Sequence, residues 1–164
     1  MEARDEVDLL VEAWGRERAD LDLSPVEVFS RIGRLNVLLE RARKSAFAEH
    51  SLDGWEFDVL SALRRAGDPY ELSPGRLIRE TLVTSGTMTN RVDRLAERGL
   101  VERLPDPRDR RGVLVRLTPA GKEAVDGAFA SLLAREQELL AGISPARRDA
   151  LAATLRALMV PLES

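Results

Sequence analysis

The stretch LVTSGTMTNRVDRLAERGLVERLPDPRDRRGVLVRL, Leu82–Leu117, predicts a helix followed by a charged hairpin. Met88, Val92 and Leu95 recur at the spacing of one helix face, and a glycine follows at the expected helix end. Beyond that glycine the apolar residues no longer follow helical spacing. Two short β-compatible runs flank a turn-rich segment at 105–112. The sequence therefore predicts one helix with a buried apolar face and, after it, a two-stranded hairpin.

A second helix lies just before this stretch. Ser73-Pro74 combines an N-cap residue with a proline at the first helical position, and it opens a short helix to about Thr81. Residues 82–85 then form a turn, and Thr84 or Ser85 caps the next helix. Two helices joined by so short a turn predict a helix-turn-helix, and the hairpin beyond it predicts a wing.

Apolar periodicity and cap residues divide the rest of the chain into further helices. They are expected at about 3–19, 25–49, 53–66, 119–141 and from 145 onward, with a minimal strand at 70–72. The predicted fold class is mainly α with a small β-hairpin wing, in the order five helices, hairpin, two helices. We expect N-terminal helices for dimerisation and a ligand-pocket wall at 1–50, the winged helix-turn-helix at 51–118, and C-terminal dimerisation helices at 119–164.

Composition argues against several classes of chemistry. The 164 residues include no cysteine and one histidine, His50, which removes disulfides, thiolate zinc sites and thiol redox sensing. The sequence has no glycine-rich phosphate loop and no serine set beside a base, so we expect no enzyme, no cofactor and no metal site. No run approaches a membrane span, and the acidic N-terminus is unlike a secretory signal. The expected location is the cytoplasm, on the bacterial nucleoid when the protein is DNA-bound.

The net charge of −3 conceals a local basic stretch. Between Arg91 and Arg116 there are eight arginines against five acids. Basic charge concentrated on one element is typical of a nucleic-acid contact surface. The sequence therefore predicts double-stranded DNA as the partner of the helix and the hairpin.

The outer face of the helix after the turn suits the major groove of DNA. Hydroxyls and a helix N-terminus hold phosphates, asparagine pairs with adenine, and arginine pairs with guanine. The residues expected there are Thr84, Ser85, Thr87, Thr89, Asn90, Arg91 and Arg94. The alternative is a solvated helix face without a partner.

The hairpin turn places three arginines at its tip, Arg108, Arg110 and Arg111, with no apolar side chain between them. Such a tip can reach phosphates or the narrow, negative minor groove. Because DNA would repel the carboxylate of Asp109, we expect this residue to orient an arginine. The tip is the second predicted DNA-contact surface.

This part of the chain resembles the multiple antibiotic resistance regulator (MarR) family. The resemblance rests on the helix and hairpin quoted above, with DPRDRRG at 106–112 and VRLTPAG at 115–121, and it is dense from Trp55 to Gly121. It implies a homodimer joined through the N- and C-terminal helices, and repression, often of a divergently transcribed neighbour, that a small ligand relieves. It also implies that Arg111 enters the minor groove with Asp109 as its partner.

The dimer has independent support from the sequence. The first helix and the last two helices each carry a stripe of apolar residues. The core of a single lobe of this size has no evident use for these stripes, so they are available to a second copy of the chain. In such a dimer the second helix of each helix-turn-helix, the recognition helix, would lie on one half of a pseudo-palindromic operator, with half-sites about 10 base pairs apart.

Four residues resemble the ligand-binding set of the urate-responsive branch of this family, which carries an extra N-terminal helix. They are Trp14, Asp58, Arg65 and Arg103. The set implies a small anionic effector, aromatic or polycarboxylate, such as urate, because an indole N–H and two arginines suit a planar anion. Binding at Arg103 could tilt the recognition helix. The alternatives are that Trp14 packs at the dimer interface and that Asp58 and Arg65 form plain ion pairs.

Three competing functions stay open at this point. An enzyme would need catalytic groups that the sequence does not offer. A winged-helix module for protein partners conflicts with the arginine tip, because the core of a protein interface is usually depleted in charge. A DNA-binding regulator without small-molecule control differs from the main hypothesis only at the four ligand residues.

Overall fold

The structure is a computed structural model that describes residues 4–109 and 111–163. The helices are α1 (Glu6–Glu17), α2 (Ser24–Ala48), α3 (Gly54–Arg65), α4 (Pro74–Thr81), α5 (Ser85–Glu97), α6 (Pro119–Leu139) and α7 (Pro145–Met159), with a 3₁₀ turn at Val160–Leu162. The strands are β1 (Glu71–Leu72), β2 (Val101–Pro105) and β3 (Val113–Leu117). This order confirms the predicted fold class. The chain divides into two compact units, one ending at Ala42 and the other beginning at Arg43.

The first unit contains α1 and the greater part of α2. Asp5 caps α1, because its carboxylate accepts the backbone N–H groups of Val7 at 2.8 Å and Asp8 at 3.1 Å. Arg31 on α2 donates to the carboxylates of Asp5 and Asp8 at 2.8 and 2.7 Å. The hydrogen bonds from Arg31 hold the pKa of Asp5 down to about 2. This network joins the two helices within the unit.

The second unit is built around one apolar core to which α3, α4, α5, the sheet and α6 contribute. Met88, Val92 and Leu95 of α5 are buried in it, which confirms the inward face predicted from their spacing. The largest of the other fully buried side chains in this unit are Phe47, Val59, Leu60, Leu63, Leu77, Val115 and Val125. The opposite side of α5 is left facing solvent.

The hairpin belongs to a three-stranded antiparallel sheet in the order β1-β3-β2. Val115 in the middle of β3 lies opposite Leu72 of β1 on one side and Arg103 of β2 on the other. An ion pair of 2.7 Å between Arg116 and Glu71 reinforces the short β1 edge. The base of the hairpin is thus fixed in the sheet, while its turn extends beyond it.

Caps place the helices of the second unit as the sequence predicts. The hydroxyls of Ser73, Thr84 and Thr118 each accept a backbone N–H from the first turn of α4, α5 and α6 respectively. Prolines occupy the first helical position of α4 and α6. Of the two candidates for the cap of α5, it is Thr84 that caps and Ser85 that begins the helix.

The start of α6 packs directly against the chain between α5 and β2. Thr118 donates its hydroxyl to the carbonyl of Gly99 at 2.7 Å and its backbone N–H to the carbonyl of Leu100 at 3.1 Å. A Cβ at Gly121 would lie 2.0 Å from the Leu100 carbonyl oxygen, so only glycine fits there. The seating of α6 beside β2 therefore depends on this glycine.

Helix α7 contributes nothing to the core, because none of its residues is buried. Large apolar side chains are exposed along it and along α6, namely Phe129, Leu133, Leu139, Leu151, Leu155, Leu158 and Met159. In the first unit, α2 likewise exposes Val28, Phe29, Leu35 and Leu38. Within the described residues, no helix is both long enough and apolar enough to cross a membrane.

Candidate nucleic-acid interface

The exposed side of α5 carries the polar residues that the sequence assigns to DNA. Ser85, Thr87, Thr89, Asn90 and Arg94 are exposed, and Arg91 is half-buried. The face is continuous, because these residues follow the helix on the side opposite its buried apolar stripe. The structure therefore brings the predicted helix residues together on one solvent-facing surface.

Hydroxyl groups order the first turn of α5. The Thr84 hydroxyl accepts the backbone N–H of Thr87 at 3.3 Å and lies 2.9 Å from the Thr87 hydroxyl. Thr89 donates its hydroxyl to the carbonyl oxygen of Ser85 at 3.1 Å. These bonds fix the N-terminal end of the helix, where backbone N–H groups and the helix dipole favour an anion.

The arginines of α5 lie on an aromatic ring. The guanidinium carbons of Arg94 and Arg91 are 4.8 and 5.6 Å from the ring centroid of Trp55, at the start of α3. Trp55 is half-buried and packs against the core from its edge. With Gly86, Thr87 and Asn90, these three residues line an open cleft of about 490 Å³ on the outer side of the helix.

Other arginines of the same basic stretch are bound to carboxylates. Arg98 bonds to Glu56 at 2.5 Å, and Arg103 bonds to Asp93 at 2.7 Å. Arg116 bonds to Glu71, as described above. Glu56 is 2% exposed and is the one buried charged residue among those that the structure describes. These three arginines are thus structural groups that fix α5 and the sheet.

The wing tip is a turn held by two aspartates. The Asp106 carboxylate accepts the backbone N–H of Arg108 at 2.8 Å, and the Asp109 carboxylate accepts that of Arg111 at 2.9 Å. Asp109 thereby places Arg111 through its backbone, a contact that the sequence did not specify. Both arginine side chains are exposed on the turn. Arg110, the third predicted arginine, lies outside the described residues.

The predicted ligand residues of the second unit each have a partner within it. Asp58 lies 3.5 Å from Arg43, and Arg65 lies 3.7 Å from Glu80, while Arg103 pairs with Asp93. The Arg103 guanidinium also lies 3.5 Å from the carbonyl oxygen of Thr89 on α5. Arg103 therefore connects β2 to the middle of the recognition helix.

Trp14, the fourth predicted ligand residue, lies on α1 in the first unit and is 50% exposed.

A cleft of about 350 Å³ opens in the second unit between α3 and α6, beside Arg65. Phe57, Val125 and Phe129 form its apolar walls. At its rim Arg64 bonds to Asp126 at 2.8 Å, and this hydrogen bond raises the pKa of Arg64. The cleft combines apolar walls with two arginines, a combination that suits a small aromatic anion.

Sequence reasoning missed two residues of this surface. Nothing in the sequence connects Trp55 with arginines 36 and 39 positions later. Asp93 was taken as one acid among the arginines, whereas it is the partner of Arg103. The one available signal is that Asp93 faces the same side of the helix as the exposed residues, one turn from Asn90.

Known proteins resemble this chain in sequence and in fold. A family model described as "MarR family" matches residues 50–112. Over 150 residues the chain is 34% identical to the HTH-type transcriptional regulator PecS of Dickeya dadantii, an alignment that covers 92% of this chain and 90% of that protein. The structure is similar to a cysteine-to-serine variant of MarR from E. coli complexed with operator DNA, with 28% identity, a TM-score of 0.63, and coverage of 85% and 99% of the two chains.

A further similar structure is that of BpsR from Bordetella bronchiseptica, whose DNA binding is regulated by 6-hydroxynicotinic acid. It is 30% identical with a TM-score of 0.58, and the match covers 78% of this chain and 98% of that one. PecS is named as a transcriptional regulator, and the MarR variant is seen on operator DNA.

Proposed function

The chain is a DNA-binding transcriptional regulator of the MarR family, and we propose that it is a dimeric repressor that a small anionic ligand releases from a pseudo-palindromic operator. The observation that carries the DNA-binding part is the pair Arg91 and Arg94 on the outer face of α5. Neither guanidinium pairs with a carboxylate of the described residues, and both lie against the ring of Trp55. The wing exposes two further arginines, Arg108 and Arg111.

We infer two contacts with DNA. Helix α5 enters the major groove with Asn90 and Arg94 toward base edges, where each bidentate pair is worth about 1–3 kcal/mol of discrimination. The hydroxyls of Ser85, Thr87 and Thr89 and the capped helix end at Thr84 meet phosphates. In this proposal Arg111 of the wing tip enters the minor groove and Arg108 meets phosphates.

Salt dependence tests the DNA contact directly. Affinity for the chain's own upstream DNA should fall steeply with salt, with a log–log slope of about −0.9 for each phosphate neutralised. Arg111→Ala should weaken binding across many sequences, whereas Asn90→Ala should change sequence preference. A slope near zero, or equal and sequence-blind losses from both variants, would contradict these assignments.

The proposed dimer rests on helices that expose apolar side chains to solvent. All of α7 is without a buried residue, and α6 and α2 expose large apolar side chains. Apolar surface of this extent is unfavourable in water and marks an association surface. We therefore assign these helices to a two-fold interface, as proposed for regions 1–50 and 119–164, which sets the two α5 helices on successive major grooves.

The ligand switch rests on the Arg103–Asp93 ion pair. An anion that binds Arg103 competes with the Asp93 carboxylate, and loss of that pair removes one tether between β2 and α5. We propose that Arg65, Arg103 and Asp58 of the second unit bind this ligand, in keeping with the regulation of BpsR by an aromatic acid. Trp14 of the first unit stays a prediction from the sequence. A regulator without ligand control is the second candidate, because Asp58 and Arg65 have partners within the protein.

Release by anions distinguishes the two candidates. Urate, salicylate, 6-hydroxynicotinate and citrate are titrated into the protein–DNA complex of wild type, Arg103→Ala and Asp93→Asn. We expect one anion to release wild-type protein and not Arg103→Ala. Asp93→Asn is the matched comparison, because it breaks the same ion pair but keeps the guanidinium. It should still bind the anion, whereas its DNA affinity, already lowered by loss of the tether, should change little when the anion is added. If no anion releases DNA, the second candidate holds.

A further inference from the structure

Two cations of the recognition helix share one indole. Arg91 and Arg94 are three residues apart on α5, so they lie on the same face one turn apart. Their guanidinium carbons are 5.6 and 4.8 Å from the ring centroid of Trp55, within the range of a cation–π contact. Two positive charges one helical turn apart repel each other, and the negative face of the indole offsets that repulsion.

The indole holds these arginines in a different way from a carboxylate. A carboxylate binds a guanidinium through its N–H donors, as Glu56 binds Arg98 and Asp93 binds Arg103. An aromatic face binds the flat side of the guanidinium and leaves the N–H edges available. Arg91 and Arg94 are thereby held in place while their donors stay open to a ligand, in contrast to the ion-paired Arg98, Arg103 and Arg116.

The open donors face the surface already assigned to DNA. Trp55, Arg91 and Arg94 line a cleft with Gly86, Thr87 and Asn90, on the exposed side of α5. Trp55 itself comes from the first turn of α3, whose side chains Phe57, Val59 and Leu60 are buried in the core. Trp55 therefore belongs to a helix that is packed into the core, and not to α5, whose arginines it contacts.

We propose that Trp55 is a positioning residue for DNA recognition, which holds the guanidiniums of Arg91 and Arg94 in place for bases and phosphates. The inference rests on the proposed DNA-binding function and extends it to a residue outside the helix-turn-helix. The cation–π contacts are present before DNA binds, so they act on affinity by ordering the arginines in advance. Immobilising a free side chain on binding costs about two- to tenfold in the binding constant, so loss of this ordering at both arginines weakens DNA binding about tenfold.

A double-mutant cycle on the full chain tests this role. Trp55→Leu is expected to weaken binding to the upstream DNA about tenfold, and Trp55→Phe, which keeps a weaker aromatic face, less than that. In the Arg91→Ala/Arg94→Ala background the Trp55 substitutions should have no further effect, because the indole then has no cation to place. The salt slope should stay at the wild-type value in Trp55→Leu, since no charge is removed.

Tyr70→Leu is the matched control. The Tyr70 ring also carries two cations, Arg64 and Lys122, each 5.0 Å from its centroid, but neither belongs to α5. Its loss should show no coupling to the Arg91/Arg94 substitutions. Equal losses from Trp55→Leu in the wild-type and double-alanine backgrounds would overturn the inference and assign Trp55 to packing alone.

Fluorescence gives a second readout that does not need the leucine variant to fold. Trp14→Phe leaves Trp55 as the only tryptophan of the two in the chain. Its emission should change when Arg91 and Arg94 are replaced and again when DNA is added, and an unchanged emission in both cases would contradict the placement. If wild-type protein shows no salt-dependent DNA binding, the proposed function itself fails. If it binds DNA and the cycle shows no coupling, only the role of Trp55 fails.

Discussion

The arginines of the basic stretch differ in what they bind. This difference distinguishes those that stabilise the fold from those that we expect to contact DNA. Arg98 and Arg103 bond to carboxylates, whereas Arg91 and Arg94 lie against an indole. A carboxylate cancels the charge and occupies the donors, and an indole does neither. The arginines expected to meet DNA are therefore those whose N–H groups are not already used by the protein.

Leu82, in the turn between α4 and α5, is a residue whose replacement should stabilise the fold. It has a left-handed backbone with φ of 53° and ψ of 42°, and its side chain is 91% exposed. Because a Cβ is disfavoured in this region and the side chain makes no core contact, Leu82→Gly should raise the free energy of unfolding by about 0.5–1 kcal/mol. Urea unfolding measures this. Leu82→Ala keeps the Cβ and should show no such gain, and a loss of stability in Leu82→Gly would contradict the argument.

Gly121 shows the opposite case, a position where a Cβ has no room. Its substitution by alanine would place a carbon 2.0 Å from the Leu100 carbonyl oxygen, which can move only if α6 or β2 moves. We expect Gly121→Ala to lower the free energy of unfolding by about 2–3 kcal/mol, in the range of an overpacked core. Gly142→Ala is the control, because nothing lies within 4 Å of a Cβ there. Similar unfolding midpoints for the two variants would refute the close contact.

The recognition helix, taken as an element, is held at several points outside its buried face. Arg98 at its C-terminal end bonds to the buried Glu56 of α3 and donates to the backbone carbonyl of Ser51 at 2.7 Å. Asp93 in its middle bonds to Arg103 of β2. Neighbouring elements on two sides thus fix the orientation of α5, and a change at either tether reaches the DNA-contact face.

Loss of the Glu56 charge should loosen the end of α5. Glu56→Gln leaves the Arg98 guanidinium without its ionic partner, and we expect the free energy of unfolding to fall by about 1 kcal/mol. Glu56 is buried, but the Arg98 side chain is 40% exposed, so solvent compensates for part of the lost pairing. DNA affinity should fall as well, although neither residue is placed on DNA. Chemical unfolding and a binding titration measure the two effects. Asp126→Asn, which breaks the exposed pair with Arg64, should change stability by less than about 0.5 kcal/mol.

The elements themselves were largely predictable, because their signals are local. Ser73-Pro74 and Thr118-Pro119 each marked the start of a helix, and the spacing of Met88, Val92 and Leu95 gave the buried face of α5. Contacts between elements were not predictable. The partners of Arg94 and Arg98 lie on α3, some forty residues away, and a single sequence carries no signal for which element packs beside which.

Large apolar side chains are exposed along several helices of the molecule. Exposed leucines continue along α6 and α7, and α7 has no buried residue at all. A helix of this kind is stable only when its apolar stripe is covered, because propensity alone is marginal for a short helix in water. We propose a second copy of the chain as this cover, since two-fold symmetry in the protein would match the two-fold symmetry of the proposed pseudo-palindromic operator.

Breaking the proposed dimer interface should halve the salt dependence of DNA binding. Leu155→Glu places a charge in the apolar stripe of α7, and we expect a monomer by sedimentation equilibrium at concentrations where wild type is a dimer. The monomer presents one recognition helix and one wing, so it neutralises about half as many phosphates and its log–log salt slope should be about half that of wild type. Leu82→Glu adds the same charge to a leucine that is 91% exposed outside these helices, and it should remain a dimer when measured without DNA. A Leu155→Glu protein that stays dimeric would exclude α7 from the interface, whereas a monomer with an undiminished slope would show that one lobe makes all of the phosphate contacts.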